Sequence, residues 1–299
     1  MESPIIAKHH VFPALSLLVA ATIWGLIWYP YRVMQQQGFA TSMLVTLTYF
    51  IALLLFLPWF YRKPGRFTWI LVVIGLAAGW SNIGFFIATT YGHVVRVSLL
   101  FYLAPLWTIL FARFLLNEKP CPSGYLVVFI SFAGAIVMLW NPHAGLPLPR
   151  DYAEWLGLSA GLMFALSNVL LRKAVTHSIE IKIVSVFVGG VVLGIAAQFF
   201  LSGQWATTLI TIPTTTWLQL LLLGVVIVLL NVIVQYGLAR TAANQAIVIL
   251  LFEVVVTVVA AWILVNETLS TKEWVGGVMI IVASLFSGKL EQKVPQFQT

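Results

Sequence analysis

Charge is what this sequence has least of. Charged residues make up 8% of its 299 positions, hydrophobic ones make up 61%, and mean hydropathy is +1.00. Soluble domains carry about 25% charged residues, so a water-surrounded globule is excluded and an integral membrane protein is expected. Cysteine is nearly absent. The single Cys121 rules out an intramolecular disulfide and any cysteine-based metal site. The chain has no G-x-x-x-x-G-K-[ST] phosphate loop and no His/Asp/Glu grouping at metal-binding spacing. Its five histidines fall near the ends of apolar runs or in loops. We therefore expect no enzyme, no cofactor, no metal and no ATP-driven pump within this chain. A cleavable leader is not expected either, because the first apolar run continues to Tyr31 without a small-residue cleavage pattern.

Long apolar runs are what is there instead. Ten spans are expected, at 12–33, 42–61, 68–89, 94–115, 122–140, 154–173, 182–201, 216–237, 242–265 and 273–289. At about 20 residues per crossing they leave only short loops, with no room for a soluble domain. The shortest breaks, Tyr91–His93 and Gly237–Thr241, separate pairs of runs that are too long for one crossing if joined. The formal charge of +7 is explained by cytoplasmic loops, so nucleic acid is not expected as a partner. With a cytoplasmic amino terminus, twelve of the sixteen Lys and Arg residues fall at inside ends. Only Arg32, Arg96, Arg150 and Lys272 fall outside. The positive-inside rule then places both termini in the cytoplasm.

The two halves match. Leu115-Leu116-Asn117-Glu118 aligns with Leu264-Val265-Asn266-Glu267 at an offset of 149, and Arg32 aligns with Arg172 at an offset of 140. Five spans per half is an odd number, so the second copy enters the membrane from the opposite side. The expected architecture is all-α, ten transmembrane helices in a 5+5 inverted repeat, with repeats over residues 1–145 and 146–299. Such repeats place a substrate site at their interface and permit alternating access.

Three kinds of residue within the spans suit a small-molecule site. Glu253 lies near the middle of the run Ala242–Glu267, where a charge costs about 2.5–3.5 kcal/mol on insertion scales. It is the leading substrate and proton-coupling candidate, alternating between a protonated form and one paired with a cation. The competing reading is a carboxyl that hydrogen-bonds Asn231, Gln235 or Thr257 and only joins helices. Aromatic residues are the second kind: Trp24 and Trp28 at i,i+4 spacing, Trp80, Tyr102 and Trp107. Aromatic walls suit flat or cationic ligands, but the same residues also serve as interfacial belts. The third kind is polar: Ser98, Asn168, Asn231 and Gln235, each ligand or helix-to-helix glue. Arg96, near the outer start of the fourth span, is expected to snorkel to lipid headgroups. Gly75-x-x-x-Gly79, Gly157-x-x-x-Gly161 and Gly190-x-x-x-Gly194 fit close helix packing. Glu118 and Glu267 suggest architecture, as helix caps or loop bridges.

The chain resembles the drug/metabolite transporter superfamily in its ten-helix EamA-type form. The resemblance rests on the repeat, on Ala20-Ala21-Thr22-Ile23-Trp24-Gly25, on Tyr102-Leu103-Ala104-Pro105 followed by Glu118, and on Leu251-Phe252-Glu253-Val254 followed by Glu267. Val254 stands where such proteins often have proline. The resemblance implies a secondary transporter in a cell membrane, bacterial inner membrane by its short loops, that exports amino acids or small cationic or aromatic metabolites or drugs. The alternatives are an importer or facilitator of a choline- or nucleoside-like metabolite and, in a different class, a membrane-embedded lipid enzyme. The expected partners are a small-molecule substrate and the bilayer, with monomer and homodimer both open.

Overall fold

The computed structural model describes residues 4–61, 65–117, 122–140, 148–201, 212–238, 249–250 and 252–290. The described elements are all helical: α1 Pro4–Leu26, α2 Trp28–Gln36, α3 Thr41–Phe60, α4 Trp69–Tyr91, α5 Val94–Phe101, α6 Ala104–Leu115, α7 Pro122–Leu139, α8 Tyr152–Lys173, α9 Ile179–Leu201, α10 Thr214–Leu238, α11 Phe252–Val265 and α12 Thr271–Leu290. Among the described residues, seven stretches are helical, long and apolar enough to cross a membrane, and Tyr125–Met138 and Phe252–Val265 are shorter apolar helices. The expected break at Tyr91–His93 is present, with Gly92 extended between α4 and α5. The break at Gly237–Thr241 lies largely outside the described residues.

Two expected spans are interrupted, for the same physical reason. The run 94–115 divides at Tyr102-Leu103, and the first run divides at Ile27. Each preceding helix ends four residues before a proline: Leu26 before Pro30, and Phe101 before Pro105. A proline ring clashes with the carbonyl four residues back and has no N–H to offer it. Leu26 and Phe101 are those carbonyl positions. The chain recovers quickly at the second break, where Tyr102 N–H still reaches the Ser98 carbonyl at 2.9 Å and Leu103 N–H tightens onto Leu100 at 3.2 Å.

The bundle is held by backbone-close helix pairs, chiefly α4 against α8 and α9, α3 against α9, and α7 against α12. Small residues permit this. A Cβ at Gly189 would overlap the Gly75 carbonyl, and one at Gly79 would overlap Gly189, so α4 and α9 meet backbone to backbone. Gly157 faces Val97 and Gly161 faces the Phe101 carbonyl, which brings α8 against the broken span. Gly190 and Gly194 face Tyr49 and Thr46 of α3. All three glycine pairs picked out by spacing thus lie at close contacts. Without water to expel between helices in lipid, such packing is what associates them. One buried aromatic cluster, Tyr31, Tyr49, Phe86 and Phe187, fills the space between α2, α3, α4 and α9. A second gathers Trp28, Leu99, Leu100, Leu103, Val254 and Ala261 around α5 and α11.

The conserved geometry of the two LxNE turns is visible in the backbone. Asn117 and Asn266 share φ 55° and are the two non-glycine residues with positive φ among the described residues. Asparagine tolerates that left-handed conformation better than most side chains, and it follows the last turn of both α6 and α11.

Candidate functional site

The site builds from the α5–α6 break. Pro105 forces the interruption, and Tyr102 sits in it, half-buried, directly after the last residue of α5. Its hydroxyl faces the carboxyl of Glu253 on α11, close enough for the two groups to interact. Glu253 is itself half-buried, so the pair is neither sealed in the core nor free on the surface. Helix α1 closes on it from another side. At Gly25 any side chain would run into Val256 and the Glu253 carbonyl, and the absence of one lets α1 lie directly on α11.

Two of the three partners expected for Glu253 are engaged with backbone carbonyls. The Thr257 hydroxyl binds the backbone carbonyl of Glu253 at 2.9 Å and that of Gly25 at 3.4 Å. Asn231 donates to the Ile227 carbonyl of its own helix at 2.9 Å. The Gln235 side chain lies outside the described residues. Of those three groups, Thr257 and Asn231 are thus engaged with backbone carbonyls, and Tyr102 is the side chain that faces the Glu253 carboxyl.

Two further donors flank the break. Ser98, one turn before Tyr102, and Trp107, one turn after Leu103, each hold a buried polar atom with no hydrogen-bond partner. Buried polar atoms are nearly always satisfied in folded proteins, so unspent donors on both sides of a helix break fit a place for a ligand's acceptors. Tyr102→Phe should remove the polar group facing this carboxyl, at a cost of about 1–2 kcal/mol. It is expected to lower the melting temperature of purified protein by about 2–5 °C.

The remaining candidates disperse. Trp28 is 1% exposed, packs in the second cluster and donates its Nε1 hydrogen to the Gly25 carbonyl at 2.8 Å. That is a core position, and the role expected for it as a cavity wall is corrected accordingly. Trp24 is half-buried on α1, across the Ile27 break from Trp28. Trp80 is 43% exposed and reaches Ser159 of α8 at 3.2 Å. Asn168 is half-buried on α8.

Charge clusters at the start of α5 were missed by sequence reasoning. Arg96 does not snorkel: it is 4% exposed. Its Nε and Nη2 atoms donate to both carboxylate oxygens of Glu154 on α8, at 2.6 and 3.1 Å, and its Nη1 donates to Glu273 on α12 at 2.5 Å. Close by, Glu267 accepts from the backbone N–H groups of Val94 and Val95 at 3.1 and 3.2 Å and pairs with Arg32 at 3.2 Å. Glu267 is thus a helix cap, as expected in kind, but the helix it caps belongs to the other half of the chain. Glu118 lies outside the described residues. A signal for Glu154 and Glu273 was present: Asp151-x-x-Glu154 and Ser270-x-x-Glu273 have capping spacing. Asp151 accepts from Glu154 N–H at 2.9 Å, and Glu273 accepts from Ser270 N–H at 2.8 Å.

Comparison with known proteins adds to this geometry. The sequence profile of the EamA-like transporter family matches residues 11–140 and again residues 151–288. A protein named S-adenosylmethionine uptake transporter, from Rickettsia bellii, is 27% identical over 216 residues, covering 68% of each chain. A riboflavin transporter of Brucella anthropi is 24% identical over 267 residues, 84% of this chain and 89% of that one. One crystal structure superposes with a TM-score of 0.61 over 92% of this chain and 97% of its own, at 15% identity, a likeness of fold.

Proposed function

Because this chain belongs to the EamA-like transporter family, we propose that it carries a small cationic or flat aromatic metabolite by alternating access, with Tyr102 and Glu253 at the centre of the site. It is a transporter rather than an enzyme, and a multi-pass protein of the bacterial cell membrane. The observation that carries the substrate reading is the Tyr102–Glu253 pair at the proline-broken α5–α6 span. A carboxyl among aromatic rings offers both a counter-charge and stacking faces, and broken helices are where secondary transporters hold their ligands.

The architecture we infer has ten crossings in two inverted five-helix repeats, residues 1–145 and 146–299, with both termini cytoplasmic. The repeated LxNE turn, its shared asparagine backbone and the positive-inside count support it. Export of amino acids or small metabolites or drugs, with protons exchanged at Glu253, is the first reading. Uptake of a nucleoside-like compound is the second, favoured by the name of the Rickettsia relative. S-adenosylmethionine joins a sulfonium cation to an adenine ring, and riboflavin is a flat tricycle, so both suit such a site. A thermal-shift screen of purified protein against amino acids, quaternary amines, nucleosides, S-adenosylmethionine and riboflavin tests the substrate class. A cationic or flat ligand should raise the melting temperature. Stabilisation by neutral aliphatic compounds alone would sink the reading. Counterflow under opposed gradients then separates export from uptake.

A further inference from the structure

Helix α5 is two turns long and is held at both ends by groups from the second half of the chain. At its start, Glu267 caps Val94 and Val95, and Arg96 is clamped between Glu154 and Glu273. At its end, Tyr102 faces Glu253. Between these anchors it rests on Gly157 and Gly161 of α8, where no side chain stands in the way. The charged groups at its start come from five places: α2 through Arg32, α5, α8, α12 and the turn after α11.

We propose that these five charges are a latch that closes the α5-start end of the bundle, and that this end opens only when the latch breaks. The proposal does not depend on which small molecule is carried. Several features make it a latch rather than ordinary cement. Every one of its ion pairs joins the first half of the chain to the second. The hydrogen bonds are charge-assisted and directional, which gives strong closure that is lost over a short displacement. A purely apolar seam would part gradually by comparison. Arg96 is also too buried to leave one carboxylate without another partner at hand, which favours two discrete arrangements over a continuum. Because α5 is a single short rod, movement at the latch is felt at Tyr102, about 12 Å away along a helix of eight residues.

The test is accessibility, with no substrate required. Ser98→Cys, near-isosteric and buried just below the latch, is placed in a Cys121→Ser background and reconstituted in nanodiscs. A water-soluble maleimide then reports its labelling rate. Ala112→Cys, buried towards the far end of α6, is the control. Adding Arg96→Gln or Arg32→Gln should raise labelling at position 98 by about tenfold or more, as an open state becomes populated, with position 112 unchanged. Equal rises at both positions would mean general loosening, and no rise at position 98 would mean static architecture. Either result overturns the proposal. If Arg96→Gln does not yield folded protein, Arg32→Gln decides, since that pair is only partly buried.

Discussion

Glu253→Gln should weaken binding of a cationic ligand by about 10- to 150-fold, the equivalent of about 1.5–3 kcal/mol for a hydrogen bond to a charged group. Glutamine keeps the shape of the side chain and an acceptor facing Tyr102, so the fold should survive and the melting temperature should change little. What disappears is the negative charge. Any dependence of ligand affinity on pH that arises from this carboxyl should disappear with it, leaving a flat profile where the parent binds better as the carboxyl ionises. Affinity for an uncharged flat ligand should fall by less, because stacking on the aromatic faces is retained. Isothermal titration of the parent and the variant across pH separates these cases. Full, pH-responsive binding in Glu253→Gln would refute the role assigned to this residue.

Gly189→Leu should do the opposite, harming the fold far from any ligand. The α4–α9 contact is backbone on backbone at Gly75 and Gly189, so an added side chain has nothing flexible to push aside. Overpacking costs about 1–3 kcal/mol even where side chains can adjust. Here the helices must separate, and the expected result is a fall of about 5–10 °C in melting temperature, or loss of the monodisperse peak in detergent. Gly84→Ala on the same helix α4 is the matched control. Its new methyl would meet Ala160 at 3.4 Å, an ordinary contact, and alanine favours the helix by about 1 kcal/mol. A Gly189→Leu protein as stable as the parent would show that the two helices are not held at that separation.

Much of the fold was legible because lipid imposes it. Apolar runs needed no tertiary information, and the described helices lie on the expected runs. Glycine spacing likewise named the close contacts. The interruptions were less legible: Pro30 and Pro105 were in plain view, but hydropathy averages across a break and reads one span. The site was legible as residues and not as partners. Glu253 stood out by its cost in lipid, whereas its pairing with Tyr102 depends on how α5 and α11 meet, which no local pattern encodes. Trp24 and Trp28 share a face by spacing, yet a break at Ile27 leaves one half-exposed and the other in the core. Arg96 was misjudged because a cation near a span end has two remedies, headgroups or carboxylates. Its carboxylates, Glu154 and Glu273, lie 58 and 177 positions away.

The two proline breaks also bear on how much bilayer must be disturbed when the molecule works. A whole helix that tilts ploughs through lipid along its full length and drags both of its loops. A span cut near its middle lets one short rod swing while the other stays seated among its neighbours. Pro105 cuts the fourth run near its middle and Pro30 cuts the first nearer its end, and both cuts lie beside α11. The joints are therefore built into the chain by covalent chemistry, and lipid composition should affect the rate of such a motion less than it would for a protein that must move intact helices.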